Sequence, residues 1–328
     1  MSPQPLGVGL VGAGHHGLRY ARHLLEGLPG AHLAALCRRR PEAPLGLDLP
    51  PSVPVYTDYH ALVSDPAVQA VVAVVPPVLN PGICLAAARA GKPVLIEKPL
   101  AITAAEARLM ASATARAGVP LMTAQTMRFD PTVLALSAAR AEVGPLRYLS
   151  LTSRIETKQH APDHAAGYGN RGALLEIGVH LLDLVRFLTG DEVADLRCET
   201  DTLPPTPDTL ATVTLRTTRG APCFLDIARV AAGRVARLDW IGTHGQLSAD
   251  WHRGTLTCIT DRGPVPLPPI PPRPTIATTL TAFLTAIQTA TPPPITGEDG
   301  LRAVELVDAC YSSAERDGHR VSVRPPRA

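Results

Sequence analysis

The chain has 328 residues, more than one hydrophobic core usually serves, so its length predicts two domains. Its 45% hydrophobic and 18% charged residues are typical of an ordinary globular protein. The net charge of +2 and the 4% aromatic content argue against a nucleic-acid partner, a membrane-surface partner and a base-stacking platform.

The N-terminus and the cysteines predict a cytoplasmic protein. Residues 1–5 lack the basic region, apolar core and cleavage site of a signal peptide, and no apolar run reaches membrane-spanning length. The cysteines form no CxxC motif and no paired spacing, which favours a reduced compartment and argues against a cysteine zinc site. We therefore expect no metal, and each cysteine is expected to be a small buried hydrophobe. They are Cys37, Cys84, Cys198, Cys223, Cys258 and Cys310.

A glycine-rich turn near the N-terminus predicts a dinucleotide site. An alternating apolar run ends at Val11, a GxGxxG motif follows, and a helical pattern runs through residues 18–25. A strand before the glycines and a helix after them is the context that the dinucleotide fingerprint requires, whereas isolated glycines also mark ordinary turns. Free N–H groups at the helix start would hold the phosphates. The cofactor-binding residues expected here are Gly12, Gly14, His15, His16 and Gly17.

Strands and helices alternate in the first part of the chain. Asp58 is the predicted N-cap of a short helix, and Thr103 forms a predicted capping box with Glu106. Alternation with short connections predicts a parallel, doubly wound sheet. The predicted strands are 7–11, 31–37, 68–75, 94–97 and 118–124, and the further helices are 56–63, 81–90 and 103–117.

The second part has a different pattern. The apolar residues of 211–215 and 223–227 alternate, which is typical of an antiparallel sheet with one face covered and one open. Seven prolines in residues 264–274 predict a linker without regular structure. The predicted strands are 146–155, 193–200, 210–217, 222–228, 234–241, 246–250, 255–259 and 320–323, and the helices are 131–141, 173–188, 276–289 and 298–316.

The fold class predicted from these elements is an α/β N-terminal Rossmann domain plus an α+β C-terminal domain with an open, mainly antiparallel sheet. The boundary is expected between residues 124 and 125, so that residues 1–124 bind the dinucleotide and residues 125–328 bind substrate and form oligomer contacts.

An arginine run follows the second predicted strand. Dinucleotide sites that prefer the unphosphorylated cofactor place an acid about twenty residues past the glycines, but this chain has no acid there before Glu42. Guanidinium groups match phosphate in a bidentate geometry. We predict that NADP is preferred over NAD, with Arg38 and Arg39 binding the extra phosphate. The alternative is that the run is a solvated loop.

Two further motifs have the residue types of acid–base chemistry. Glu97-Lys98-Pro99 ends a parallel strand, where such folds bind ligands, and a partly buried lysine beside a carboxylate can hold a reacting oxygen. Taken alone, the tripeptide is equally consistent with a strand-end turn. Glu176, His180 and Asp183 share one helix face, where a histidine moves a proton and a carboxylate orients it. The alternatives are a core histidine, or half of a metal site that lacks a third ligand.

Together these stretches resemble the Gfo/Idh/MocA oxidoreductase family, which includes glucose–fructose oxidoreductase and inositol dehydrogenases. The resemblance covers nearly the whole chain, and it implies hydride transfer between nicotinamide and a carbinol carbon, usually of a sugar or cyclitol. It also implies that Lys98 holds the reacting oxygen, that His180 is the acid/base, and that Glu176 assists the histidine. The matching motifs are Gly12–Gly17, Tyr56–Tyr59, Ala90–Ala101, Gly172–Asp183, Gly297–Ala303 and Gly318–Val321.

The resemblance implies further site residues and shows departures. The family usually has Asp at position 176, and many members have a histidine at position 80, where this chain has asparagine. The polar loop 154–170, with Lys158, His160, Asp163 and His164, is suited to hydroxyl groups but looks the same as a solvated loop. The expected cofactor contacts are Pro76, Asn80, Glu97, Lys98 and Gln125, and the expected substrate contacts are Arg128, Lys158, Tyr168, Asn170 and Asp183.

The predicted function is an NAD(P)-dependent dehydrogenase or reductase that acts on a small polyhydroxylated substrate. One alternative is a glycoside hydrolase that uses bound NAD for transient oxidation, and another is a cofactor-binding regulatory protein without turnover. The resemblance also implies a homodimer or homotetramer that associates through the C-terminal sheet. No nucleic-acid or membrane partner is expected.

Overall fold

The computed structural model describes residues 5–156, 164–202, 208–230 and 232–323. Its contacts divide the chain into two compact units: residues 1–125 with 274–301, and residues 126–273 with 302–328. This division differs from the single boundary expected between residues 124 and 125, because Gln125 and the segment 274–301 are grouped with the first unit.

The first unit contains a six-stranded, fully parallel sheet in the order β3-β2-β1-β4-β5-β6. The sheet is doubly wound, as predicted, and β3 is an addition to the predicted strands. Nearly all side chains of β1, β4 and β5 are buried, as expected for parallel strands covered on both faces. The strands are β1 (Leu6–Val11), β2 (Ala31–Cys37), β3 (Val55–Tyr56), β4 (Ala70–Ala73), β5 (Val94–Glu97) and β6 (Leu121–Ala124).

The helices of this unit begin where the capping residues predict. The Asp58 carboxylate accepts the backbone N–H of His60 at 2.9 Å, and Thr103 and Glu106 form a complete capping box. Each cap supplies a partner for helix N–H groups that have no acceptor within the helix. The helices are α1 (His15–Leu25), α2 (Tyr59–Ser64), α3 (Asn80–Arg89) and α4 (Ala104–Ala117).

The second unit contains a nine-stranded sheet in the order β14-β13-β12-β11-β7-β10-β9-β8-β15. All neighbouring strands are antiparallel except β7 and β10, so the sheet is mainly antiparallel, as predicted. The strands are β7 (Leu146–Glu156), β8 (Val193–Asp201), β9 (Leu210–Thr217), β10 (Pro222–Val230), β11 (Val235–Gly242), β12 (Gly245–Asp250), β13 (Thr255–Thr260), β14 (Gly263–Pro264) and β15 (Val321–Ser322).

One face of this sheet is covered and the other is open. Residues of β9 alternate between buried and exposed, which confirms the predicted pattern. On the open face the ring of Phe224, which is 42% exposed, lies 5.0 Å from the ring of Tyr148. Homo-oligomer formation through this face stays a prediction.

Five more helices complete the described fold: α5 (Pro131–Ala139), α6 (His164–Gly167), α7 (Val179–Thr189), α8 (Thr275–Gln288) and α9 (Gly297–Ala314). The structure corrects one predicted helix, residues 173–188, because this segment begins with a π-helical turn over Leu174–Gly178 before α7. In such a turn each hydrogen bond spans one more residue than in an α-helix. Within the described ranges, no helix has the length and apolarity needed to cross a membrane.

Candidate active site

In the first unit, the glycine turn connects β1 to α1. Gly12 has a positive φ of 104°, and a Cβ there would lie 2.1 Å from the Val74 carbonyl oxygen. A Cβ at Gly17 would lie 2.1 Å from the carbonyl oxygen of Gly12. Both positions therefore require glycine, the first for the tight turn and the second for close packing of helix and strand.

Gly14 differs from Gly12 and Gly17, because a Cβ at Gly14 would meet nothing within 4 Å. Gly14 is the N-cap of α1, so no side chain caps the first N–H groups of the helix. The first turn of the helix also has no acidic residue. The N–H groups of a first helical turn have no acceptor within the helix and form a favourable site for negative charge. This open, uncapped helix start fits the pyrophosphate of a dinucleotide.

The arginine run lies beside this turn. The backbone N–H of Gly12 donates to the Cys37 carbonyl at 2.9 Å, so Arg38, the next residue, is at the same edge of the sheet. The Arg38 side chain is half-buried and that of Arg39 is exposed. Among the described residues, neither guanidinium has an ion pair or a side-chain hydrogen bond. Both groups are therefore available to an anionic ligand.

Glu97, at the end of β5, has its carboxylate inside the protein. Glu97 is only 6% exposed. One oxygen of its carboxylate bonds to His16 Nε2 at 2.8 Å and accepts a hydrogen bond from the Tyr20 hydroxyl at 2.5 Å. Its other oxygen accepts the Lys98 backbone N–H at 3.0 Å. Burial raises the pKa of Glu97, but the bond and charge from His16, the charge of Lys98 and the Tyr20 bond outweigh it and hold that pKa below its usual value. The Glu97 carboxylate thus links the end of β5 and the Lys98 backbone to α1.

Asn80 fixes the segment that follows Lys98. Its Nδ2 donates to the carbonyl oxygens of Pro99 and Leu100 at 3.1 and 3.2 Å, and the side chain is fully buried. The described bonds of its amide N–H groups thus go to this backbone, and the cofactor contact expected for Asn80 stays a prediction. Lys98 itself is only partly buried at the strand end.

Gln125 lies directly after β6 and is 1% exposed. Among the described residues, neither its amide nitrogen nor its amide oxygen has a hydrogen-bond partner, and the same holds for Oδ1 of Asn80. An unpartnered buried amide costs about 1–3 kcal/mol, so such groups are usually satisfied by a ligand or water. The arrangement fits a polar ligand group such as a carboxamide. Pro76, also expected at the cofactor, is exposed.

In the second unit, Arg128 and Asp183 form a buried bidentate pair. Arg128 Nε donates to Asp183 Oδ2 at 2.8 Å and its Nη2 donates to Oδ1 at 2.6 Å. The residues are 9% and 1% exposed, and the guanidinium lies 5.4 Å from the centre of the Phe187 ring. The two charged groups bind each other, and the substrate contacts expected for both residues stay predictions.

Glu176 lies in the π-helical turn and forms an ion pair with Arg229 of β10. Arg229 is 8% exposed, and no sequence motif indicated this ion pair, because nothing local links Arg229 to the helix motif. His180 is the second residue of α7 and is half-buried. The helix motif therefore contains a carboxylate neutralised by an arginine from another element.

The start of this helix is held by residues that are distant in sequence. The Asp208 carboxylate accepts the backbone N–H groups of Gly172 and Leu174, both at 2.8 Å, and the Tyr311 hydroxyl at 2.8 Å. Asp208 thus satisfies helix N–H groups as an N-cap would, although it precedes β9. Sequence reasoning did not find it, because the recognisable capping signals are local.

The other expected substrate residues lie before the helix. Tyr168 is half-buried, and Asn170 is exposed with a positive φ of 58°. Lys158, His160 and Asp163 lie outside the described residues, as does the side chain of His164.

All six cysteines are buried and without disulfides, and burial raises the pKa of the Cys84 thiol to about 12. Within the part of the chain that the structure describes, no group of three or more His, Cys, Asp or Glu side chains is placed to hold a metal ion.

Comparison with known proteins gives matches to both parts of the chain. Residues 6–125 match the family described as "Oxidoreductase family, NAD-binding Rossmann fold", and residues 138–248 match the GFO/IDH/MocA C-terminal domain. Myo-inositol 2-dehydrogenase of Thermotoga maritima is 29% identical, covering 94% of this chain and 96% of its own. D-apiose dehydrogenase of Paraburkholderia graminis is 28% identical, covering 73% of this chain and 68% of its own.

Solved structures share the fold. The crystal structure of aldose-aldose oxidoreductase from Caulobacter crescentus superposes with a TM-score of 0.85 at 24% identity, covering 98% of this chain and 100% of that one. At this identity the likeness concerns the fold alone.

Proposed function

We propose that this chain, which belongs to the GFO/IDH/MocA oxidoreductase family, transfers a hydride between a nicotinamide cofactor and a carbinol or carbonyl carbon of a sugar, a cyclitol or a related polar small molecule. Family membership agrees with the resemblance seen in the sequence. The observation that carries the proposal is Lys98, fixed at a strand end through Glu97 and Asn80, in the same unit as an open glycine turn that suits a dinucleotide. The relatives named as inositol and apiose dehydrogenases support the substrate class.

The residues of the first unit fit the cofactor. The glycine turn and the start of α1 would hold the pyrophosphate, and the unpartnered Gln125 amide would bind a polar group of the nicotinamide end. A bound nicotinamide supplies the hydride acceptor for oxidation and the hydride donor for reduction.

Lys98 and His180 carry the proposed proton and charge chemistry. In oxidation, His180 accepts the hydroxyl proton while the carbinol C–H bond breaks and the C=O double bond forms. The Lys98 ammonium donates a hydrogen bond to the reacting oxygen and stabilises the negative charge that develops there. In reduction, His180 returns the proton to the oxygen. The assay is accumulation of reduced nicotinamide with a panel of sugars and cyclitols, by wild-type protein.

We propose NADP as the preferred cofactor, because two arginines are available beside the glycine turn. Replacing both Arg38 and Arg39 with alanine is expected to weaken NADPH binding by about 10- to 100-fold, since a hydrogen bond to a charged group contributes about 1.5–3 kcal/mol. The affinity for NADH, which lacks the extra phosphate, is expected to fall by less than about 3-fold. The measurement is the dissociation constant of each cofactor from nicotinamide fluorescence.

Arg89→Ala is the matched control for this experiment. Arg89 is an exposed arginine of the same unit at the C-terminal end of α3, and helices of doubly wound folds end at the sheet edge opposite the cofactor. Its loss should leave both affinities unchanged. Equal losses for NADPH and NADH in the double variant, or tighter NADH binding by wild-type protein, would contradict the NADP assignment.

A further inference from the structure

The second unit has an open cavity of about 930 Å³ that contains none of the candidate active-site residues. It lies at one end of the nine-stranded sheet, between the start of β7, the turn that joins β9 to β10, and the C-terminal ends of α5 and α7. We propose that this cavity binds a small organic molecule with a dianionic group, which is a phosphate ester or a dicarboxylate, through the guanidinium groups of Arg140 and Arg147. Pockets that hold small organic ligands have volumes of about 300–1,000 Å³.

The charged side chains that line the cavity are mostly cations. They are Arg140, Arg147 and Arg219, and Asp191 is the one acidic residue among the described lining residues. Arg219 and Asp191 pair with each other, because Nε of Arg219 lies 3.3 Å from Oδ2 of Asp191 and the Arg219 backbone N–H donates to the same oxygen at 2.9 Å. Two positive charges therefore remain in the lining, those of Arg140 and Arg147.

Arg140 is half-buried and has no carboxylate partner in the part of the chain that the structure describes. Its Nε donates to the Ser137 carbonyl at 2.9 Å, and its Nη1 donates to the carbonyl of Leu188 in the last turn of α7. Both acceptors are neutral groups, and burial lowers the pKa of Arg140. An anion in the cavity would compensate the charge of this guanidinium.

Arg147 is the second cation without a counter-ion. Strand alternation places it on the same face of β7 as Leu149 and Leu151, which are both fully buried, so it lies on the covered side of the sheet. Its side chain is exposed and makes no ion pair or hydrogen bond with any described residue. The fold therefore leaves all the N–H donors of this guanidinium for solvent or a ligand.

The Trp240 indole lies near both arginines. Leu149 of β7 is the register partner of Trp240 on β11, so Arg147, two residues earlier, is a diagonal neighbour of Trp240 within reach of a long side chain. The Arg140 guanidinium lies 5.4 Å from the centre of the Trp240 ring. Trp240 is 5% exposed, and its Nε1 is buried without a described hydrogen-bond partner, whereas buried indole N–H groups usually have one.

A dianion matches this arrangement. Two guanidinium groups beside one indole repel each other unless an anion lies between them, and each can bind a phosphate or carboxylate group with two hydrogen bonds. Small apolar residues form much of the remaining lining and leave room for the carbon skeleton of the ligand. They are Ala138, Ala141, Pro145, Ala221 and Pro222.

The test is a titration of the full-length protein with four probes: inorganic phosphate, glucose 6-phosphate, malonate and uncharged glucose. The readout is the fluorescence of Trp240 in a Trp251→Phe background, because the chain has two tryptophans. A saturable change is expected with glucose 6-phosphate or malonate and not with glucose. Arg147→Ala is expected to raise the dissociation constant by about 10-fold or more, since it removes hydrogen bonds to a charged group.

Further variants separate charge, geometry and location. Arg147→Lys keeps the charge without the planar fork, so its loss of affinity should lie between those of wild type and Arg147→Ala. Arg262→Ala is the matched control, because Arg262 is another exposed arginine of the second unit whose side chain has no described partner. The double variant of Arg38 and Arg39 to alanine should leave the Trp240 response unchanged, since both residues belong to the first unit.

Tighter binding of glucose 6-phosphate than of malonate would identify a phosphate ester as the ligand, and the reverse would identify a dicarboxylate. The inference would be overturned by no saturable response to either organic dianion up to about 10 mM, by an equal response to glucose, or by equal affinities in Arg147→Ala and Arg262→Ala. The titration requires neither cofactor nor turnover, so its result is distinct from success or failure of the proposed function.

Discussion

Replacing His180 with asparagine is expected to lower kcat for alcohol oxidation by about 10²- to 10⁴-fold, because the variant loses its general base. Lys98→Met is expected to lower kcat by about 10²- to 10³-fold, because the ammonium no longer stabilises the developing oxyanion. Cofactor affinity should change little in His180→Asn. The kcat of the double variant should fall by less than the product of the two single reductions, since both groups act in one step. Steady-state kinetics of cofactor reduction measure all three variants.

Controls are available on the same chain. Lys92 is a partly buried lysine of the first unit whose Nζ donates to the Asp65 carbonyl at 2.8 Å, and His252 is exposed in the turn after β12. Lys92→Met and His252→Asn should keep kcat within about 3-fold, since neither residue is proposed to touch substrate. Full turnover by the double variant of Lys98 and His180 would rule out the assigned roles.

Asp183→Ala is expected to destabilise the second unit by about 3–5 kcal/mol, because it removes the carboxylate that binds the buried Arg128 guanidinium with two hydrogen bonds. The two residues form a bidentate pair at 2.8 and 2.6 Å, and Asp183 is 1% exposed. Replacing both, as Arg128→Met with Asp183→Leu, should destabilise the unit less than Asp183→Ala alone, since an apolar pair leaves no buried charge.

Tryptophan fluorescence during urea unfolding measures this effect, because Trp240 and Trp251 both lie in the second unit. The matched control is Asp226→Ala, which breaks an Arg–Asp pair whose side chains are 48% and 36% exposed on Arg154 and Asp226. Asp226→Ala is expected to lower the free energy of unfolding by less than about 1 kcal/mol. An unchanged unfolding midpoint in Asp183→Ala, together with a raised KM, would instead favour the substrate contact expected from the sequence.

The first unit was largely predictable because its signals are local. The bounds of β2 and β5 agree with the prediction, and the cap at Asp58 and the capping box at Thr103 lie where the residue types indicate. Gly12 and Gly17 belong to the predicted dinucleotide fingerprint, and the contacts that a Cβ would make at each position explain why both require glycine.

The features that were missed depend on contacts between distant residues. Asp208 caps a helical segment that begins 34 residues earlier, at Leu174, and Arg229 pairs with Glu176 from another element. The π-helical turn keeps the apolar pattern of an α-helix, so the pattern could not indicate it. The parallel pairing of β7 with β10 is likewise a property of the whole sheet.

The motif residues themselves were identified, but their partners were not. The sequence singled out Glu97 and Asn80 as cofactor contacts, and the structure uses their polar groups to hold α1 and the backbone after Lys98. A pattern of residue types indicates which segments contain functional residues. Only the fold distinguishes side chains that are available to a ligand from those that position them.

The most direct measurement of the central claim is the fate of deuterium from a substrate labelled at its carbinol carbon. A sugar or cyclitol that turns over in the panel is prepared with that label and incubated with wild-type protein and oxidised cofactor. We predict deuterium at C4 of the nicotinamide, accumulating in equal amount with the oxidised product, and a rate of this transfer that is lower by about 10²- to 10³-fold in Lys98→Met. Deuterium that returns to a cleaved product without net cofactor reduction would indicate a glycoside hydrolase. Tight cofactor binding without transfer would contradict the account.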